Sequence, residues 1–161
     1  MKGKYEESCF VFVKEPKISP EVIAHLDNSL RNWNVPFSKI PFQTLKPVPV
    51  LPFLQHYQKQ VTEIPNIAYQ MIYQMSQGGI QPFIYYGEQG LIHSIRTIVG
   101  ATNPAEAEKF TIRNTFSNDS LETAIAENRP VRNIIHASDS PENAEREISL
   151  WLPHLEFRVM N

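Results

Sequence analysis

An imidazole and a carboxylate stand close together near the end of the chain, in the stretch "VRNIIHASDSPENAEREISLWLP" (residues 131–153). His136 closes a short apolar run, Ile134 and Ile135, and a serine-rich turn follows at once. Imidazole is the side chain best suited to attack or to carry a proton near neutral pH. In the segment after it, Ala144, Ile148 and Trp151 recur at i, i+4 and i+7 and mark the inner face of a helix. Glu147 borders that face, and a carboxylate turned toward a core needs a partner. If the partner is His136, the pair fixes the tautomer of the ring and leaves its other nitrogen free to attack. The plainer alternative is a structural histidine at a strand end, with Glu147 leaning to solvent beside Arg146.

Three cations could serve such a nucleophile: Lys14 at the end of an apolar run, Arg96 late in an apolar helix, and Arg113 in "TIR". Singly each reads as a solvated surface charge. Together they would clamp a phosphate, since a guanidinium fork matches pairs of phosphate oxygens. The chain has no G-x-x-x-x-G-K-[ST] and no G-x-G-x-x-G, so any nucleotide is expected to be held by side chains. His25, His56, His93 and His154 form no H-x-x-x-H or H-E-x-x-H pattern, so no protein-ligated metal is expected.

The totals set bounds. A chain of 161 residues suggests a single domain over 1–161 with a sizeable core. Fifteen basic residues against 17 acidic ones, net −2, argue against a dedicated nucleic-acid binder. Cys9 is the single cysteine, which excludes an internal disulfide and points to a reducing compartment. No signal-peptide pattern and no apolar run of membrane-spanning length is present, so a soluble, cytoplasmic protein is expected.

The elements that would position these groups can be read along the chain. "CFVFVK" (9–14) reads as a buried strand. In 19–33, Ser19 is the expected cap and Pro20 the first helical residue, with Ile23, Leu26, Leu30 and Trp33 as the buried stripe. The proline-rich 36–53 holds one expected edge strand near 38–45. "LQHYQKQ" and "IAYQMIYQMSQ" read as two helical pieces parted near Pro65, stopped by Gly78-Gly79. A strand at 80–87 and a helix at 91–99 follow. Residues 101–130 read as loop with short helical turns, 131–138 as the last strand, and Ser140-Pro141 as the start of the closing helix. This order predicts an α+β sandwich: a ferredoxin-like split βαβ, with a four-stranded antiparallel sheet and helices packed on it.

"RNIIHASDSPENAEREISLWLP" closely resembles the signature of the nucleoside diphosphate kinases, and "RTIVGATNPAEAEKFTIRNTF" the family segment upstream of it. "CFVFVKEP" is similar to the family's first strand with its lysine, and "QHY" to its helix pair. The likeness is strong over 96–116 and 131–152 and weak before that. It implies a ping-pong phosphotransferase in which His136 takes the γ-phosphate of ATP or another nucleoside triphosphate and passes it to a nucleoside diphosphate. In that reading Glu147 and Ser138 orient the imidazole. Arg96, Thr102 and Arg113 hold phosphates, Tyr57 lies near the group in transit, and Lys14 and Asn133 bind sugar hydroxyl and phosphate oxygens. The resemblance also implies Mg²⁺, carried on the nucleotide phosphates without a protein cage, and a homo-oligomer.

The pattern departs from the family in places. "KEPKI" replaces the usual Pro-Asp-Gly after the lysine, and Lys109-Phe110 the usual Pro-Gly before "TIR". "EIPNIAYQ" offers no phenylalanine to stack on a base; Tyr69 is either a substitute or a core residue. Residues 117–131 are longer than the common link and form either a lid or a surface excursion. Two other readings therefore stand beside the kinase: a non-catalytic nucleotide-binding or interaction module on the same fold, and a phosphotransferase with a different acceptor.

Overall fold

The computed structural model describes residues 6–158. Its first strand, β1 (Glu7–Val13), begins two residues before the apolar run and alternates its side chains between two cores. Cys9, Val11 and Val13 enter one; Phe10 and Phe12 enter the other. This is the period-two geometry of a strand covered on both faces. Helix α1 (Ser19–Asn32) covers the first face with Val22, Ile23, Leu26 and Leu30. Ser19 is its first helical residue rather than its cap, and Trp33 lies outside the helix, half exposed.

The edge strand β2 (Phe37–Pro41) is shorter than the sequence predicts and ends on its proline, where a ladder donor would otherwise be needed. Three helices then replace the two expected pieces: α2 (Val50–His56), α3 (Gln58–Glu63) and α4 (Pro65–Gly78). Tyr57 breaks the first piece, and Pro65 opens α4 at a position where its missing N–H costs nothing. Strand β3 (Gln81–Gly87) returns through the sheet, and α5 (Leu91–Val99) packs beside α1. The first turn of α5 is tied to β1, because Glu7 Oε2 accepts from the Ile92 N–H at 2.9 Å.

The 101–130 region holds a 3₁₀ turn at Pro104–Glu106 and two short helices, α6 (Ile112–Phe116) and α7 (Leu121–Ala126). Strand β4 (Ile135–Ala137) is three residues long, much less than 131–138. The reason is local: Ile134 has φ 74°, a left-handed conformation that a β-branched residue rarely adopts and that ends the strand. Helix α8 (Pro141–Trp151) closes the second face, its N-terminus capped by Ser140 Oγ, which accepts from Asn143 N–H at 3.1 Å.

The sheet order is β2-β3-β1-β4 and every pairing is antiparallel. The α+β ferredoxin-like sandwich is thus the observed architecture. Helices α1 and α5 cover one face; α2, α4 and α8 cover the other around Phe10, Phe12, Phe53 and Trp151. Burying side chains of this size contributes roughly 1.5–3 kcal/mol each. Among the described residues no helix is long and apolar enough to cross a membrane.

Candidate active site

Phe12 and His136 are direct cross-strand partners on β1 and β4, so their side chains share the face covered by α2 and α8. The two rings stack with centroids 4.9 Å apart. The imidazole is thereby held on one flat side while 18% of the side chain stays exposed. Its Nε2 lies 3.0 and 2.9 Å from the two oxygens of Glu147, which descends from α8. A carboxylate at this distance accepts a proton from Nε2. The ring is then the Nε2–H tautomer, and Nδ1 carries the lone pair.

Glu147 is itself held. Ser138, fully buried just past β4, donates its hydroxyl to Glu147 Oε1 at 2.7 Å and accepts from the Phe10 N–H at 2.9 Å. The turn after β4 thus locks carboxylate, serine and first strand together. Burial raises the Glu147 pKa above the ordinary carboxylate value, and the hydrogen bond from Ser138 and the neighbouring His56 oppose that rise. The His136 pKa is lowered well below its usual value, first by burial, then by Lys14, Arg113 and Arg96. The ring is therefore neutral at pH 7.

The two arginines reach the site along the free edge of β4. Carbonyls that do not pair with β1 point outward from this strand, alternate residue by alternate residue. Arg113 donates Nε–H to Asn133 O at 3.1 Å and a terminal N–H to Ile135 O at 2.8 Å. It also reaches Gly100 O at 3.0 Å. Arg96, from α5, takes the next carbonyl, Ala137 O, at 3.1 Å. Gly100 is required here, since a Cβ would lie 2.7 Å from Thr111 Oγ1, and its φ is 92°. Burial and Arg96 push Arg113 down to about 10, which leaves it charged at neutral pH. Three of its five N–H groups are spent on the backbone, so it acts as a fixed wall charge as much as a clamp.

Lys14 sits just beyond β1, with Nζ 2.7 Å from Asn133 Oδ1. Burial, then Arg113, push its pKa down to about 7. Tyr57 closes the inner side at the break between α2 and α3. Its hydroxyl is buried and makes no hydrogen bond among the described residues. Such a group is costly to leave unpaired, and it marks where a ligand acceptor would be welcome. Thr102 lies exposed on the loop after α5, without a described contact to the other site residues. Past Lys14 and Asn133 opens a cavity of about 650 Å³, walled by Met71 and Met75 of α4, Lys46 and Pro130.

The structure also brings in residues that spacing alone did not select. His56, at the end of α2, has its ring 4.5 Å from that of His136. His56, His136 and Glu147 offer ligand atoms within 4.8 Å of one another, a cluster that linear motif spacing does not reveal. Within the cluster His136 is hydrogen-bonded to Glu147, while His56 Nε2 stands 3.7 Å from Glu147 Oε2. Tyr69, considered as a base stacker, is half exposed on α4. The 117–131 segment is tied down by its own contacts and by those to α4. Arg129 grips Asp119 at 2.7 and 2.9 Å, Arg132 pairs with Glu15, and Gln70 of α4 donates to Asn128 O at 3.1 Å.

A profile of the nucleoside diphosphate kinase family matches residues 7–157. The nucleoside diphosphate kinase of Pyrobaculum aerophilum is 32% identical over 142 residues, 88% of this chain and 77% of that one. That of Thermosynechococcus vestitus is 43% identical over 83 residues, 52% of this chain; the chain spans about half, 48%, of that relative's length. Among solved structures, a transition-state mimic of the Borrelia burgdorferi nucleoside diphosphate kinase with bound vanadate and ADP superposes with TM-score 0.76. It is 24% identical and is matched over 90% of this chain and 86% of its own. The fold likeness extends to the Pyrobaculum aerophilum kinase structure, with TM-score 0.73, 22% identity and coverage of 90% and 94%.

Proposed function

Because the chain belongs to the nucleoside diphosphate kinase family, a family of phosphotransferases, we propose that it moves the γ-phosphate of a nucleoside triphosphate to a nucleoside diphosphate through His136. The observation that carries the reading is the Glu147–His136 pair, which holds the proton on Nε2 and leaves Nδ1 with its lone pair. In the first half-reaction that lone pair forms an N–P bond to the γ-phosphorus as the bridging P–O bond breaks. The nucleoside diphosphate leaves with the electron pair. In the second, a terminal oxygen of the acceptor's β-phosphate attacks the same phosphorus and the P–N bond breaks. No proton needs to move: Nε2–H stays on Glu147 throughout and supports the charge that the ring gains.

Such transfer depends on placement and on neutralised oxygens rather than on covalent help. Arg96 and Arg113 supply fixed positive charge, and Lys14 adds its own while protonated. The unpaired Tyr57 hydroxyl would donate to the phosphoryl group in transit, and Asn133 with Lys14 would take sugar hydroxyl and phosphate oxygens. Thr102 would join them from its loop. The nucleoside would extend past Lys14 toward the cavity walled by Met71 and Pro130. This donor set suits phosphates that bring their own Mg²⁺: its groups are N–H and O–H donors, and the oxygens of Glu147 are taken by His136 and Ser138. When bound, Mg²⁺ would neutralise phosphate oxygens. We also read the chain as one domain acting in a reducing, cytoplasmic compartment, from its single buried Cys9, and as part of a homo-oligomer.

The test is incubation with γ-labelled ATP and then with each nucleoside diphosphate. An acid-labile, base-stable phosphoryl group that passes to GDP or CDP, and is absent in His136→Ala, is the expected result. Nucleotide binding without label would leave only a binding module. A label that no diphosphate accepts would indicate a different acceptor.

A further inference from the structure

His56 is a buried histidine for which the proposed reaction has no use so far. It is 7% exposed, packed between Phe12 and Tyr57 with ring centroids at 5.5 and 4.5 Å. A buried imidazole needs both nitrogens accounted for. Trp151, fully buried at the end of α8, donates its indole N–H to His56 Nδ1 at 3.0 Å. Indole nitrogen can only donate, so Nδ1 is the acceptor and the proton of neutral His56 is confined to Nε2. That N–H faces Glu147 Oε2 at 3.7 Å, the same oxygen that lies 2.9 Å from His136 Nε2.

We infer that His56 is a positioning residue for phosphoryl transfer: set by Trp151, its Nε2–H holds the Glu147 carboxylate in the orientation that fixes the tautomer of His136. The inference rests on the kinase reading and extends it to two side chains outside the phosphate-binding set. At 3.7 Å the contact is longer than a hydrogen bond, which is common in ligand-free sites whose bonds tighten in the reacting complex. The carboxylate is otherwise held on the Oε1 side by Ser138. Without His56 the Oε2 side has only His136 itself as a donor, the carboxylate can rotate about its last bond, and His136 loses the two-oxygen seat that fixes its tautomer. His56 and Trp151 come from α2 and α8, which pack against each other, so the relay links the closing helix to the helix that carries Tyr57.

His56→Phe keeps the ring and removes both nitrogens. His56→Gln keeps a donor near Nε2, and Trp151→Phe removes the tautomer lock. The expected result is an autophosphorylation rate about tenfold lower in His56→Phe, the size expected for one lost donor to a carboxylate. The KM for ATP should stay unchanged, because the polar contacts of His56 are with Trp151 and Glu147 and not with the phosphate-binding side chains. His56→Gln should recover most of the rate and Trp151→Phe should lie between. Nitrogen-15 spectra should show His136 as the Nε2–H tautomer in the wild type and as a mixture in His56→Phe. An unaltered rate and tautomer in His56→Phe, or a loss confined to KM, overturns the inference. A wild-type chain that takes no phosphate defeats the kinase reading instead. The tautomer measurement then decides alone, an identical His136 signal in both proteins sinking the positioning role.

Discussion

Glu147 offers both of its carboxylate oxygens to one nitrogen of His136, at 3.0 and 2.9 Å, and so decides which nitrogen of the ring carries the proton. Replacing it with alanine leaves the imidazole free to take either tautomer and to turn on its bed of Phe12. We expect Glu147→Ala to lower the rate of His136 phosphorylation by roughly 10²-fold, the size of a lost hydrogen bond to a charged group, with a smaller change in nucleotide affinity. Single-turnover labelling with ATP measures it, and a wild-type rate in the variant would contradict the assignment.

The acid side of the pH profile follows from the lowered pKa of His136. The reactive ring is the neutral one. Because the folded-state value lies below the ordinary one of about 6.5, kcat/KM for ATP should hold through that pH and fall only well below it. The same shift makes the unfolded chain bind more protons below its own pKa, so this group's contribution to stability is lost as pH falls through that window. A labelling rate that halves near pH 6.5 would show an unperturbed histidine.

Lys14 gives a signature on the other side. With its pKa pushed down to about 7, it loses charge as pH rises above neutrality, and phosphate binding should weaken with it. KM for ATP is expected to climb above pH 7 in the wild type, and to be high and flat there in Lys14→Met. Stability moves the opposite way. Between about 7 and about 10.4 the unfolded lysine holds more protons than the folded one. That term therefore raises stability as pH rises, and Lys14→Met should lack the slope. Denaturant titrations at pH 7 and pH 9.5 read the difference.

Ser138 couples stability to the site. It satisfies the Phe10 N–H and Glu147 Oε1, both buried. Ser138→Ala strands the Phe10 N–H, leaves Glu147 Oε1 with His136 alone, and should cost about 1–3 kcal/mol. The denaturation midpoint should fall at constant slope, with a slower labelling rate because the carboxylate loses its Oε1 anchor. A loss of stability with no change in rate would make Ser138 structural only.

The 117–131 segment is closed by the fork of Arg129 on Asp119, with Asp119 also accepting from the Arg132 N–H at 2.8 Å. Asp119→Ala should release this closure and speed proteolytic cleavage between residues 117 and 131. It should also raise KM for the nucleotide, since Arg132 leads directly into Asn133. Cleavage at the wild-type rate would show that the contacts to α4 and Glu15 hold the segment unaided.

Much of this was legible in one dimension. The apolar, β-branched and aromatic run "CFVFVK" named a buried strand. Ser140 and Pro141 announced the closing helix, and the i, i+4, i+7 stripe through Ala144, Ile148 and Trp151 placed Glu147 beside its inner face. Those signals are local: each depends on side-chain period or on the backbone preference of one residue type. Helix boundaries in 50–65 were less legible, because Tyr57 has ordinary helix propensity and breaks the helix only through its packing against Phe53 and His56. The short final strand also escaped, since the left-handed Ile134 is held by contacts of its neighbours and is disfavoured by its own chemistry.

The sequence by itself determined the pieces of the site, a histidine after an apolar run and a carboxylate on the next helix, because strand and helix periods set the facing of adjacent segments. Tertiary structure decided which nitrogen of His136 is free and that Arg113 and Arg96 line the open edge of β4. It also decided that His56 from a distant helix stands beside Glu147. These relations join residues far apart in the chain, through distances and burial that no local periodicity encodes.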